Sequence, residues 1–117
     1  MLAERFPRTL IEQHLLPFDQ YCPYPRIADR EQWASLPPDV AKRIIERAEQ
    51  YLDFDWPALT AARYMDFARD GNRSRYEGIY FPRRVVIGSL VLGECVENKG
   101  RFLDQIINGI WAICEET

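Results

Sequence analysis

Val40-Ala41-Lys42-Arg43-Ile44-Ile45-Glu46-Arg47-Ala48-Glu49-Gln50-Tyr51-Leu52 is the run that decides the fold class. Val40, Ala41, Ile44, Ile45, Ala48, Tyr51 and Leu52 recur at three- and four-residue spacing and share one face of a helix. Lys42, Arg43, Glu46, Arg47, Glu49 and Gln50 fill the other face. The spacing predicts an amphipathic helix from Asp39, with one side built to lie on a neighbouring element.

The same logic extends toward the C-terminus. Trp56-Pro57 breaks the chain and is expected to open the next helix with proline in its first turn; Leu59, Ala62, Met65 and Ala68 continue it until Gly71 supplies a stop. Ser74 to Asn98 reads as a long helix, kinked or restarted at Pro82, whose Val85 to Gly93 portion is apolar nearly all round and so must be covered on several sides. Gly88 and Gly93 each lower helix propensity by about 1 kcal/mol relative to alanine, which predicts close helix packing at both points. Gly100 is the expected end of that helix. Phe102, Leu103, Ile106, Ile107, Ile110, Ile113 and Cys114 outline a final amphipathic helix running to Thr117. No strand is required.

Toward the N-terminus the pattern changes. Residues 1–38 hold six of the eight prolines, and Tyr21-Cys22-Pro23-Tyr24-Pro25 cannot propagate a helix. This segment reads as a wrapping arm with a short helix over Pro7 to Leu16 and another over about 30 to 36, the latter entered through Asp29 with Gln32 at capping-box spacing. The domain reading is therefore a proline-rich arm over 1–38 and antiparallel helical hairpins over 39–117, one domain overall. Bundles, solenoids and toroids are all built from such hairpins, and spacing does not choose among them.

Composition narrows the function classes. The 117 residues are 47% hydrophobic, enough for one domain with a real core. Fifteen basic against eighteen acidic side chains give a net charge of -3, and no Lys/Arg run exceeds a pair such as Arg83-Arg84, so no footprint for a nucleic-acid backbone is present. Met1 to Arg8 carries charges where a secretory signal needs an apolar core, and Val85 to Val96 is too short and too polar to cross a bilayer, so neither a signal peptide nor a membrane partner is expected and the compartment stays open. Cys22, Cys95 and Cys114 form no C-x-x-C pattern and predict neither a disulfide framework nor a metal site; no cofactor is implied. The periodicity of the final helix continues to Thr117 without a cap, which suggests that more chain follows.

Two stretches carry a family resemblance. Trp56-Pro57-Ala58-Leu59, Tyr64, Phe67, Ala68 to Arg73, Tyr76-Glu77 and Tyr80-Phe81 with Arg83-Arg84 resemble the N-terminal helical region of heparinase II/III-like proteins. Leu92-Gly93-Glu94-Cys95-Val96-Glu97-Asn98-Lys99-Gly100-Arg101-Phe102-Leu103-Asp104, followed by Ile107 to Glu116, is the more specific match; Gly93 stands where that family usually has alanine. The resemblance implies an all-α fold forming part of an incomplete (α/α) toroid, in enzymes that cleave uronate-containing acidic polysaccharide by β-elimination. In such lyases a Tyr or His removes the proton beside the uronate carboxylate while Asn, His or Arg neutralises it. The family's catalytic Asn, His and Tyr fall beyond the point matching Thr117, so the catalytic residues are unknown here and the segment is expected to be inactive alone.

The substrate-cleft candidates are Trp111, Glu115, Glu94 and Arg84. Trp111 offers an aromatic face for a sugar ring, with core packing the competing and favoured reading. Glu115 and Glu116 lie one turn further on, in the segment that the resemblance leads toward the cleft. Glu94 interrupts an apolar helix and needs either an arginine or a neighbouring helix N-terminus as partner, or a place at the cleft. Arg83 and Arg84, with Tyr76 and Tyr80, form a basic and aromatic stretch suited to an anionic polysaccharide, against the reading that they pair with Glu94, Glu97 or Asp104. His14, the only histidine, has no triad partners at useful spacing and reads as a surface residue. Beside the lyase stand two alternatives: a toroidal glycoside hydrolase fragment, and a non-enzymatic helical interaction module. The expected partners are the remainder of a parent chain, or self-association through the apolar helices.

Overall fold

Proline at a helix's first position costs no hydrogen bond, because the first N–H groups have no partner within the helix. Pro38 uses that freedom to open α4 (Pro38–Glu49), the helix expected from Asp39. The computed structural model describes residues 1–18 and 20–116; Asp19 in the arm and Thr117, the expected domain end, lie outside the described residues. Among the described residues the chain is all-α, with no strand: α1 (Leu2–Arg5), α2 (Arg8–His14), α3 (Arg30–Ala34), α4, α5 (Ala61–Asp70), α6 (Ser74–Glu97) and α7 (Leu103–Cys114).

The axis of the fold is α6, against which α3, α4, α5 and α7 all pack. Its buried positions Arg83, Val86, Leu90, Gly93 and Glu94 form one stripe at helical spacing. Ala48, Val86, Leu90, Phe102 and Ile106 make the core, with Tyr51, Leu52, Phe54 and Trp56 packed on it. Pro82 does not break the helix; it and Gly78, whose carbonyl loses its bond to residue 82, are both exposed, so water reaches the freed oxygen.

Gly93 behaves as anticipated: a Cβ there would sit 2.4 Å from Ala48 Cβ and 3.3 Å from Phe102 Cε2. Gly88 does not, since a Cβ would meet nothing within 4 Å. The expectation failed because Gly88 lies on the exposed side of α6. Asn98, at φ 55° and ψ 45°, ends α6 ahead of the expected Gly100, which supplies a second left-handed residue at φ 78°.

Two helix starts differ from the sequence reading. Between Trp56 and Thr60 the chain is not helical, and α5 begins only at Ala61, because the Pro57 carbonyl accepts a hydrogen bond from Arg83 Nη2 instead of opening a helix. Tyr51, Phe54 and Trp56 form an edge-to-face series, 6.0 and 5.0 Å between centroids, that carries the chain past the core. Trp56 Nε1 donates to Gln105 Oε1 at 2.8 Å, and the indole lies so close to Gly109 that a Cβ there would come within 2.4 Å of it. At α3 the Asp29 side chain makes no cap; its Oδ2 accepts from the Arg26 backbone N–H at 2.8 Å.

The arm docks at one end only. Arg30 Nη1 donates to Cys95 O at 2.7 Å and Nη2 to Val96 O at 3.0 Å, placing a guanidinium on the carbonyl end of α6, and Trp33 is buried with Nε1 on Arg26 O at 2.9 Å. In contrast, α1 and α2 bury no residue, so the arm does not wrap over its first eighteen residues.

The chain is open. Its radius of gyration is 19.6 Å, against about 13 Å for a compact domain of this length. It exposes 9224 Å², where a folded monomer of this mass exposes roughly 6600 Å². Part of the excess is a second apolar stripe on α7: Leu103, Ile107, Ile110 and Trp111 are exposed, opposite the buried Ile106, Gly109 and Ala112. A helix apolar on both sides has its natural place between two neighbours.

Candidate functional site

Arg73, Tyr76, Tyr80 and Arg84 lie at steps of three, four and four residues, so α6 places them along one face. The rings of Tyr76 and Tyr80 stack at 5.4 Å with 26° between planes, and Arg84 extends the series with its guanidinium carbon 3.3 Å from the Tyr80 centroid. From α5, Tyr64 meets Tyr76 edge-on at 5.6 Å. Arg75 holds the two helices together through Asp66 and Asp70, each at 2.9 Å. Between them runs a groove of about 340 Å³ lined by Tyr64, Phe67, Arg73, Tyr76, Glu77, Tyr80 and Phe81.

A guanidinium stands at each end of this aromatic floor. Arg73 is balanced by Glu77. Arg83 and Arg84 share a single carboxylate: Glu116 Oε1 accepts from Arg83 Nη1 and Oε2 from Arg84 Nη2, both at 2.7 Å. Arg83, only 4% exposed, also donates to Ala112 O at 3.0 Å and to Pro57 O, and its Nε has no partner among the described residues. Burial pushes the Glu116 carboxyl upward, but the hydrogen bonds from Arg84 and Arg83 outweigh it and hold the group below the ordinary carboxylate range. Two guanidiniums against one carboxylate leave one positive charge at the Arg84 end, while Asp66 and Asp70 against Arg75 leave one negative charge where α5 meets α6, so the positive excess is local to Arg84.

The four candidates are not brought to one place. Arg84 adjoins the groove through Tyr80 without lining it. Glu94 is buried further along α6, where Oε1 accepts from Gly100 N–H at 2.6 Å and Oε2 from Phe102 N–H at 3.3 Å, so its partners are backbone N–H groups of the turn into α7, the second at the N-cap Phe102. Trp111 is 69% exposed and does not pack in the core; its Nε1 donates to Glu115 Oε1 at 2.8 Å on the outer side of α7. The favoured core role belongs instead to Trp56, because the inward face of α7 at Gly109 is already filled by that indole. Arg83 and Arg84 do form ion pairs, but with Glu116 rather than Glu94, Glu97 or Asp104; Glu94 is committed to backbone N–H groups and Glu97 to Arg101 and Lys99.

Sequence reading does not single out Tyr64 and Phe67 as groove residues, and it places Glu116 toward the cleft without its pairing to Arg83 and Arg84. The i, i+4, i+8 spacing of Tyr76, Tyr80 and Arg84 was a visible signal for the ladder, whereas nothing local ties Glu116 to residues more than thirty positions earlier. His14 is exposed at the end of α2. Burial pushes the Cys95 thiol up, away from the reactive thiolate form. Among the described residues no group of three or more His, Cys, Asp or Glu side chains is arranged to hold a metal ion, and no helix is long and apolar enough to cross a membrane. Stacking faces, phenol hydroxyls and permanently charged guanidiniums are a binding chemistry.

No protein-family model matches the chain, and comparison with curated proteins gives no match.

Proposed function

We propose that this chain is the N-terminal helical segment, part of an incomplete (α/α) toroid, of a heparinase II/III-like lyase that cleaves uronate-containing acidic polysaccharide by β-elimination. By itself the segment binds the polysaccharide and does not cleave it. The observation that supports the reading is the α5/α6 groove: clustered aromatic side chains and phenol hydroxyls suited to lining a sugar ring, with a local excess of positive charge at the Arg84 end, where two guanidiniums share one carboxylate. The resemblance at 92–116 gives the reaction class.

The test is calorimetric titration of the chain with oligomers of galacturonate, of mannuronate and of alternating uronate and glucosamine, beside neutral dextran oligomers. At least one uronate oligomer is expected to bind, more weakly as salt rises, with dextran not binding and no unsaturated product released. Equal binding of acidic and neutral oligomers, or binding of neither, refutes the reading.

A second reading has its own observation. The exposed stripe Leu103, Ile107, Ile110 and Trp111 suits a helical interaction module that buries α7 against a partner. Sedimentation of the chain with a hydrophobic dye separates the two: one tight oligomer without dye binding favours the module.

A further inference from the structure

Arg83 and Arg84 are neighbours in sequence, yet their partners differ in how easily they can be replaced. Arg83 is buried and held by groups from three separate places: the Ala112 carbonyl, the Pro57 carbonyl and Glu116 Oε1. Arg84 has one third of its side chain exposed; it rests on the Tyr80 ring and, among the described residues, is hydrogen-bonded to the Tyr80 carbonyl of its own helix, at 3.0 Å, and to Glu116 Oε2. Glu116 therefore makes one single-oxygen bond to each guanidinium. A planar guanidinium fork reaches full strength when both of its N–H groups meet both oxygens of one carboxylate, an arrangement that Glu116 denies to Arg84.

We infer that Glu116 occupies, on Arg84, the place of a ligand carboxylate, and that a uronate bound in the groove beside Tyr76 and Tyr80 displaces Glu116 Oε2 while Oε1 stays on Arg83. The inference rests on the acidic-polysaccharide reading and adds to it a residue that sets charge selectivity. An uncharged sugar gains nothing by reaching Arg84, because it cannot replace the ion pair it would break. A uronate exchanges a single-oxygen ion pair for a two-oxygen one. Because Arg83 keeps Glu116 nearby, the competitor returns when the ligand leaves.

The experiment uses the full chain, the uronate oligomer that binds most tightly in the titration panel, and the methyl ester of that oligomer, which keeps the sugar and removes its charge. Glu116→Gln is expected to raise affinity for the acid by about tenfold and to leave the ester unchanged. Arg84→Gln is expected to bring the acid down to the affinity of the ester. Circular dichroism checks that each variant folds. If Glu116→Gln does not fold, Arg84→Gln, which leaves the Arg83–Glu116 pair intact, decides alone: a retained preference for acid over ester overturns the inference. So does a Glu116→Gln chain that binds the acid no better than wild type, or gains equally for acid and ester. When wild type binds the acid normally, those results remove the role of Glu116 and leave the groove standing. If wild type and variants bind neither probe, the polysaccharide reading falls and takes this inference with it.

Discussion

Replacing Gly93 with alanine sets two opposing effects against each other at one position. Alanine in place of glycine within a helix adds about 1 kcal/mol of helix propensity. Against it stands geometry: the new Cβ would lie 2.4 Å from Ala48 Cβ and 3.3 Å from Phe102 Cε2. Carbon atoms pack at about 3.5–4.0 Å, so α4 and α6 must part by roughly 1 Å. Ala48 has no rotamer through which to yield and is fully buried, as are Leu90 and Phe102 beside it. Overpacking of this kind costs about 1–3 kcal/mol. With Ala48 and Phe102 both fully buried the cost falls in the upper half of that range, about 2–3 kcal/mol, and, less the propensity gain, Gly93→Ala is expected to destabilise by about 1–2 kcal/mol, lowering the melting temperature by roughly 4 °C per kcal/mol. Urea unfolding followed by far-UV circular dichroism measures it. Ala48→Gly added to Gly93→Ala removes the contact, so the pair should show coupling of about 1 kcal/mol or more in a double-mutant cycle. A Gly93→Ala chain as stable as wild type, or more so, refutes the close approach of α4 and α6.

Arg30→Ala removes the guanidinium from the Ile27, Cys95 and Val96 carbonyls and is expected to cost about 1.5–3 kcal/mol. Amide exchange by mass spectrometry should speed up over 26–36 and at the end of α6, and Arg30→Lys should recover less than half because an ammonium cannot span both helix carbonyls; unchanged exchange at α6 would show that the arm is not docked there. Acid titration tests the Glu116 pairing. Its folded-state carboxyl lies below the ordinary value of 4.5, so the unfolded chain takes up the proton first; the stability it contributes is present above about pH 4.5 and is lost as pH falls through the lowered value. Glu97, lowered chiefly by its hydrogen bond from Arg101, and Asp70, lowered chiefly by the Asn72 backbone N–H, act with the same sign. Glu116→Gln should therefore flatten the acid limb without abolishing it, and an identical limb in both proteins excludes the pairing.

The elements legible in the sequence are those whose cause is local. The face-by-face periodicity of α4 up to Glu49, though not the Tyr51 and Leu52 expected to continue it, Gly71 as the left-handed end of α5, and the long apolar run of α6 each follow from spacing or from one residue's backbone preference. The misreadings have distant causes. Pro57 has the chemistry of a helix start, yet its carbonyl is taken by Arg83, twenty-six positions away. Asp29 has the chemistry of a cap, yet the Arg26 N–H takes its oxygen. Gly88 and Gly93 carry the same propensity penalty, and only the direction each faces on α6 separates a close contact from open space.

The site divides along the same line. A carboxylate inside an apolar helix must find donors, which predicts that Glu94 is partnered, and a helix N-terminus was one of the two structural partners open to it. Charge counting also makes Arg83 and Arg84 seek acids, but it weighs the nearest acids in sequence, whereas the fold delivers Glu116 from beyond α7. It also treats carboxylates as a supply with one per cation. Here one carboxylate spans two guanidiniums of unequal burial, and that inequality separates a structural arginine from one whose partner can be exchanged. Arg83 is fixed because it is buried and its two terminal nitrogens donate to three acceptors from separate places in the fold. Arg84 is open to exchange because the same carboxylate meets it singly, at the rim of an aromatic groove.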